Sequence, residues 1–242
     1  MSSLWQTVSE NVVFVLEFLA LIVVMFLIAY VIEKAVKKKN SDTERVLARK
    51  IVVIGVFSAI AAILMVLEFP VPFAPSFYGL DFSELPALIG AFAYGPVAGV
   101  MIEFCKILIK LVLKPSSTAF VGELANFSIS CMLVLPASVI YLFKKSRKQA
   151  ILGTVVGTLI MTAFGSCFNA IYLLPKFSEL YGIPLDAIIG MGTAINPAIH
   201  SISGLVLMCV VPLNLLKGGL VSLITILVYK KLSPILKAAH KQ

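Results

Sequence analysis

The sequence predicts an all-α integral membrane protein, and three observations carry that prediction. Of 242 residues, 60% are hydrophobic and 13% are charged, with a mean hydropathy of +1.04, far from the composition of a soluble domain. The apolar residues gather in runs long enough, at ~1.5 Å of helix rise per residue, to cross a ~30 Å hydrocarbon core. The basic residues behind the net charge of +8 fall in short clusters between those runs, as topology signals do. The expected partner is therefore the lipid bilayer, and nucleic acid is not expected.

The first run, residues 11–32, is broken only by Glu17. Nothing in residues 1–10 is basic and no small-residue cleavage site follows, so it reads as a retained helix rather than a signal peptide. Residues 34–50 then hold Lys34, Lys37, Lys38, Lys39, Arg45, Arg49 and Lys50, which places that segment on the cytoplasmic side. Residues 51–67 cross outward. Within them Gly55 and Ala59, and likewise Ser58 and Ala62, form two small-xxx-small pairs that allow close helix approach. Residues 68–86 carry Pro70, Pro72, Pro75, Gly79 and Pro86 and read as an outer loop. Its aromatic residues Phe73, Phe77, Tyr78 and Phe82 suit either the membrane interface or a fold over a ligand, and the sequence by itself favours the interface.

Residues 85–94 read as an inward crossing that turns at Gly95-Pro96-Val97-Ala98-Gly99, and 100–113 return outward. That helix sets Glu103, Lys106 and Lys110 on one face, which cannot look at lipid and allows an internal Glu103–Lys106 pair. Residues 114–123 form a polar outer loop, 124–143 cross inward to Lys144, Lys145, Arg147 and Lys148, and 151–174 go out again. Residues 175–203 are too broken for one helix, and 204–229 return inward with a kink expected near Pro212. Fifteen of the 20 lysines and arginines fall in the three segments assigned to the inside. The positive-inside rule thus supports seven spans, N-terminus out and C-terminus in.

Polar residues converge at one depth. Counted by helix rise from the nearest inner boundary, Lys217 lies roughly 21 Å up, Asn126 about 27 Å and Asn169 about 30 Å, with Asn214 one turn above Lys217. An intramembrane ionisable residue is costly and is kept where it faces a bundle interior. Any one asparagine alone reads as an interhelical stitch; the convergence of several beneath two outer loops describes a pocket open to the outside. Two amides offer paired donors and acceptors for an imide-like edge, and a lysine adds charge near a carbonyl, phosphate or hydroxyl. With few carboxylates expected there, a flat heteroaromatic fits better than a cation.

An enzyme is the rival class. The sequence has no Gly-x-Ser-x-Gly, no His-Glu-x-x-His and no phosphate-binding Gly-x4-Gly-Lys-Ser/Thr, and no pair of converging carboxylates is expected. Cys105, Cys131, Cys167 and Cys209 are scattered singly, and His200 and His240 are the only histidines, so neither a disulfide framework nor a metal site is expected.

The motifs resemble a known family. Residues 51–236 resemble the substrate-binding S components of energy-coupling factor (ECF) transporters, and among them the riboflavin-specific RibU family. The resemblance runs through Glu68-Phe69-Pro70-Val71-Pro72-Phe73, Leu80-Asp81-Phe82-Ser83-Glu84-Leu85-Pro86, Gly95-Pro96-Val97-Ala98-Gly99, Gly122-Glu123-Leu124-Ala125-Asn126-Phe127, Asn169 with Leu173-Leu174-Pro175, and Pro212-Leu213-Asn214-Leu215-Leu216-Lys217-Gly218. It implies a six-helix bundle in a prokaryotic cell membrane, with no catalytic activity and no cofactor, capturing riboflavin as its transported ligand. Asn169, Asn214 and Lys217 match positions that hold the isoalloxazine ring, Asn126 is a further pocket candidate, and the loop with Phe77 and Tyr78 matches the gate. FMN, FAD or another flat vitamin is the alternative ligand, with Lys106, Lys110 or Lys114 required to reach a phosphate. The implied partners are an EcfT-like coupling subunit, docked on the face marked by Gly55 and Ala59, with Ser58 and Ala62 beside it, and two ATPase subunits. The departure is at the start of the chain: residues 1–33 add a transmembrane helix and 34–50 a basic linker before the bundle at 51–236, with 237–242 a cytoplasmic tail. The added helix is expected to be a peripheral anchor rather than a cover over the docking face.

Overall fold

The computed structural model describes residues 12–36, 44–116 and 120–238. The basic cluster at 37–39, the stretch before residue 12 and the end of the expected tail at 239–242 lie outside the described residues. Long apolar sequences without β-branched alternation fold as helices in order: α1 Val12–Val36, α2 Glu44–Val66, α3 Glu84–Tyr94, α4 Pro96–Leu113, α5 Val121–Phe143 and α6 Arg147–Phe168. A π-helical turn, Asn169–Leu173, carries α6 into α7, Leu174–Tyr181. After α8, Leu185–Thr193, and the short α9, Ile202–Leu205, a second π turn at Val206–Val210 leads into α10, Val211–Ala238. Five continuous helical stretches are long and apolar enough to cross a membrane. The all-α membrane fold is as the sequence predicts.

One expected crossing takes a different form. The α3 helix has 11 residues, which span only ~16 Å, so it cannot cross a bilayer alone. Before it, Phe69–Pro70 and Gly79–Leu80 pair as a two-stranded ribbon, and Val71, Ala74, Leu80, Asp81 and Ser83 are buried. The proline-rich stretch is thus an ordered loop packed against the bundle, and its irregular backbone is covered by protein at those residues. The α4 helix has 18 residues, enough to cross at ~27 Å, and carries Glu103, Lys106 and Lys110 buried on its inward face.

The closest helix pair is α5 with α6. A Cβ added to Gly153 or Gly157 would lie 2.6 Å from the carbonyl oxygens of Ala137 or Leu133, so these glycines set the backbone separation. Around this pair, α4 packs on α3 and α5, α10 on α6 and α3, and α2 on α4 and α3, while α1 lies against α4 and α5. Both π turns come just before a proline. Pro175 and Pro212 cannot donate to the carbonyls of Ile171 and Met208, and the widened turns absorb that loss. The second turn lies just before Pro212, where the kink is expected; Asn169 opens the first turn, Asn214 lies four residues past the second, and both line the same interior space.

Candidate functional site

That space is a cavity of about 550 Å³, within the usual range for small-molecule sites. Its floor is charged. Lys217 on α10 places Nζ 2.6 Å from Glu84 Oε1 and 3.0 Å from Asp81 Oδ2. Ser130 donates to the same Glu84 oxygen at 2.6 Å, and the Ser83 N–H donates to Asp81 at 2.8 Å. Behind them Lys106 pairs with Glu103 and donates to Ser83 Oγ at 3.0 Å. The short α3 and the loop before it supply both carboxylates because Asp81, Ser83 and Glu84 sit together where that loop meets the helix. Buried charges of this kind are tolerable only when paired.

The amides form the next layer. Asn169 is held within the protein by one bond on each side of its amide: its Oδ1 accepts from the Tyr78 hydroxyl at 2.9 Å, and its Nδ2 donates to the Gly165 carbonyl at 2.8 Å, which leaves one N–H and one lone pair of the group. Asn214 is different. Its Nδ2 is buried with no hydrogen-bond partner among the described residues, and so are Asn126 Oδ1 and Glu84 Oε2. All three residues line the cavity. A buried polar atom left unpaired costs about 1 to 3 kcal/mol, and these three are open hydrogen-bonding atoms among the residues that line the cavity. Gly165 makes room for the donor, since a Cβ there would lie 2.7 Å from Asn214 Nδ2.

The walls between these groups are apolar: Met65, Ile129, Met161, Leu173, Val210 and Leu213. Phe77 and Tyr78 border the cavity, and Phe77 stacks on Phe177 with centroids 5.5 Å apart. Towards Lys114 the polar groups are acid–base pairs. Lys110 is bound to Glu123, whose other oxygen accepts from Ser116 at 2.8 Å, and Lys114 lies 3.2 Å from Glu68 at an exposed edge.

All six residues expected to hold the ligand, Asn169, Asn214, Lys217, Asn126, Phe77 and Tyr78, are brought to this cavity. The expectation of no converging carboxylates is corrected: Asp81 and Glu84 meet at Lys217, so its charge is already balanced before any ligand arrives. Asp81 and Glu84 both stand in the motif from Leu80 to Pro86, which carries no site role in the sequence, and their three-residue spacing is the signal that points to them. The four small residues of α2 separate. Gly55 and Ala59 are exposed, with nothing near a Cβ added at Gly55, whereas Ser58 and Ala62 are buried inside the bundle. Ser58 and Ala62 are therefore corrected to internal packing positions, because they lie about 60° further round the helix, on the side that packs into the bundle.

Comparison with known proteins decides the family. Residues 49–229 match the family model for the ECF transporter substrate-specific component. The chain belongs to that family. It is 33% identical over 189 residues to the riboflavin transporter RibU of Staphylococcus aureus, covering 78% of this chain and 93% of that protein. It is 32% identical, over 77% of its length and 93% of the relative's, to the riboflavin transporter FmnP of Bacillus subtilis. Among solved structures, the S component of a bacterial ECF transporter aligns with a TM-score of 0.62 and 34% identity, covering 79% of this chain and 99% of that one. This S component is thus a multi-pass membrane protein that binds a substrate and is not an enzyme. Helix α1 lies outside the matched residues.

Proposed function

We propose that this S component captures riboflavin and delivers it through an ECF-type transporter whose ATPase subunits hydrolyse the ATP. The observation that carries the reading is the unpaired Asn214 Nδ2 in a cavity that also presents the Asn169 amide, a charge-balanced lysine and apolar walls. An isoalloxazine ring has a flat apolar body and an imide edge rich in acceptors and donors, which matches that lining. The relatives named riboflavin transporters support the same ligand.

A phosphorylated flavin fits less well. The lysines expected to reach a phosphate are each engaged: Lys106 with Glu103, Lys110 with Glu123 and Lys114 with Glu68. The exposed small face of α2 at Gly55 and Ala59 is the proposed contact for the coupling subunit, since it is free of the bundle and of α1. The N-terminus is assigned outside and the C-terminus inside, on the basic segments at 34–50, 144–148 and 230–241. The chain divides into the added helix at 1–33, the linker at 34–50, the bundle at 51–236 and the tail at 237–242. The experiment is uptake of labelled riboflavin by cells that lack their own S component, expressing this chain with an energy-coupling module. Uptake that needs both supports the reading, and its absence despite a membrane-inserted chain opposes it.

A further inference from the structure

Helix α1 carries two carboxylates, and the structure gives each a partner on the bundle. At one end Glu33 accepts the Val97 N–H at 3.0 Å, at the start of α4, with Lys50 at 3.7 Å. Gly95, at φ +103°, leaves the seat for that carboxylate; a Cβ there would lie 2.7 Å from Glu33 Oε2. At the other end Glu17 accepts the hydroxyl of Tyr172. Tyr172 belongs to the π turn that begins at the cavity's Asn169. One helical turn before Glu17, Phe14 is 1% exposed and shares a cluster with Val121, Leu124 and Leu173. Val121 and Leu173 also line the cavity.

The helix is therefore fixed at both ends, over ~24 Å of rise between its two carboxylates, and its outer end presses on the back of the cavity wall. A π turn is a widened, less regular stretch of helix, so its shape depends on what is packed behind it. We infer that α1 is a positioning element for the binding site: through Glu17 to Tyr172, and through Phe14 behind Val121 and Leu173, it holds the Asn169 turn in the shape that retains the ligand. This rests on the riboflavin reading above and adds a role for a helix that lies outside the family match. The Glu17–Tyr172 bond is exposed and the Glu33–Val97 bond partly buried; such pairing satisfies a carboxylate on any membrane helix, so the link to the site is carried by the place of Tyr172 in the π turn and of Phe14 behind Val121 and Leu173.

The test uses the full-length chain in detergent, with Glu17→Leu, Tyr172→Phe, the double variant and, as a probe of the apolar contact, Phe14→Leu. Riboflavin association and dissociation are followed by flavin fluorescence, and unfolding temperature is recorded without ligand. The expected result is dissociation about three- to tenfold faster in each single variant, the double variant no worse than the worse single, and association changed by less than about twofold. Loss of one shared contact cannot be counted twice, hence the non-additivity. Wild-type dissociation rates in both the double variant and Phe14→Leu, even with a lowered unfolding temperature, would overturn the inference and leave α1 as packing alone. A wild-type chain that does not bind riboflavin at all would instead overturn the ligand reading, and with it this one.

Discussion

Lys217 on α10 and Glu84 at the start of α3 are joined across the bundle, Nζ to Oε1, at 2.6 Å. With Asp81 as second partner at 3.0 Å, the lysine is the cation shared by two buried carboxylates. Lys217→Met would leave two buried carboxylates without their cation. Breaking such a pair from one side costs about 3 to 5 kcal/mol, so the ligand-free protein should unfold at lower temperature as well as bind more weakly. Glu84→Gln, which keeps a group for Ser130 and Lys217 to bond, should cost less than Lys217→Met.

Asn214 and Asn169 should separate into two kinds of site residue. Asn214→Ala removes a donor that is unpaired in the free protein, so riboflavin affinity should fall by about 1 to 3 kcal/mol while ligand-free stability barely changes. Asn169→Ala breaks the bonds to Tyr78 and Gly165, so both quantities should fall. Binding isotherms alongside thermal unfolding check this; equal stability losses in the two variants would speak against it. Gly165→Ala, with its Cβ 2.7 Å from Asn214 Nδ2, should resemble Asn214→Ala.

Phosphate should be discriminated against. The Lys110–Glu123 pair is buried, with side chains 9% and 2% exposed, and a phosphate would have to displace Glu123 or lie against it. Riboflavin should bind at least about tenfold more tightly than FMN, and Glu123→Gln should narrow that gap by freeing Lys110. Competition binding decides it, and equal affinities for the two flavins in the wild-type chain would contradict the expectation.

Capture and delivery should be separable on α2. Ala59→Leu adds bulk to an exposed face away from the cavity, so riboflavin binding in detergent should be unchanged while uptake in cells falls severalfold. At Ala62, which is 0% exposed, the same change should instead lower stability by about 1 to 3 kcal/mol. Loss of binding in Ala59→Leu would place that face within the site rather than at a partner.

Helix rise is regular, so counting residues from basic boundaries brought Asn126, Asn169, Asn214 and Lys217 to one level, and the cavity is where they meet. The same arithmetic had no means of finding Asp81 and Glu84. They stand where an irregular loop joins α3, and position along a loop does not follow residue number as helix rise does; α3 itself has 11 residues, too few for the full crossing that regular counting makes of residues 85–94. The separation of Gly55 and Ala59 from Ser58 and Ala62 depends on which face of α2 meets α4 and α3. The 155-residue gap between Glu17 and Tyr172 leaves no local signature at all. Both carboxylates of α1 were visible in the sequence; their partners became visible only with the fold.

The central claim is that the cavity is built for riboflavin. The most direct measurement is fluorescence titration of riboflavin with the purified full-length chain, with Asn214→Ala in parallel. Saturable one-to-one quenching by the wild-type chain, weakened about 5- to 150-fold in the variant, is the predicted result. Flavin fluorescence left untouched by the folded wild-type protein would contradict the account.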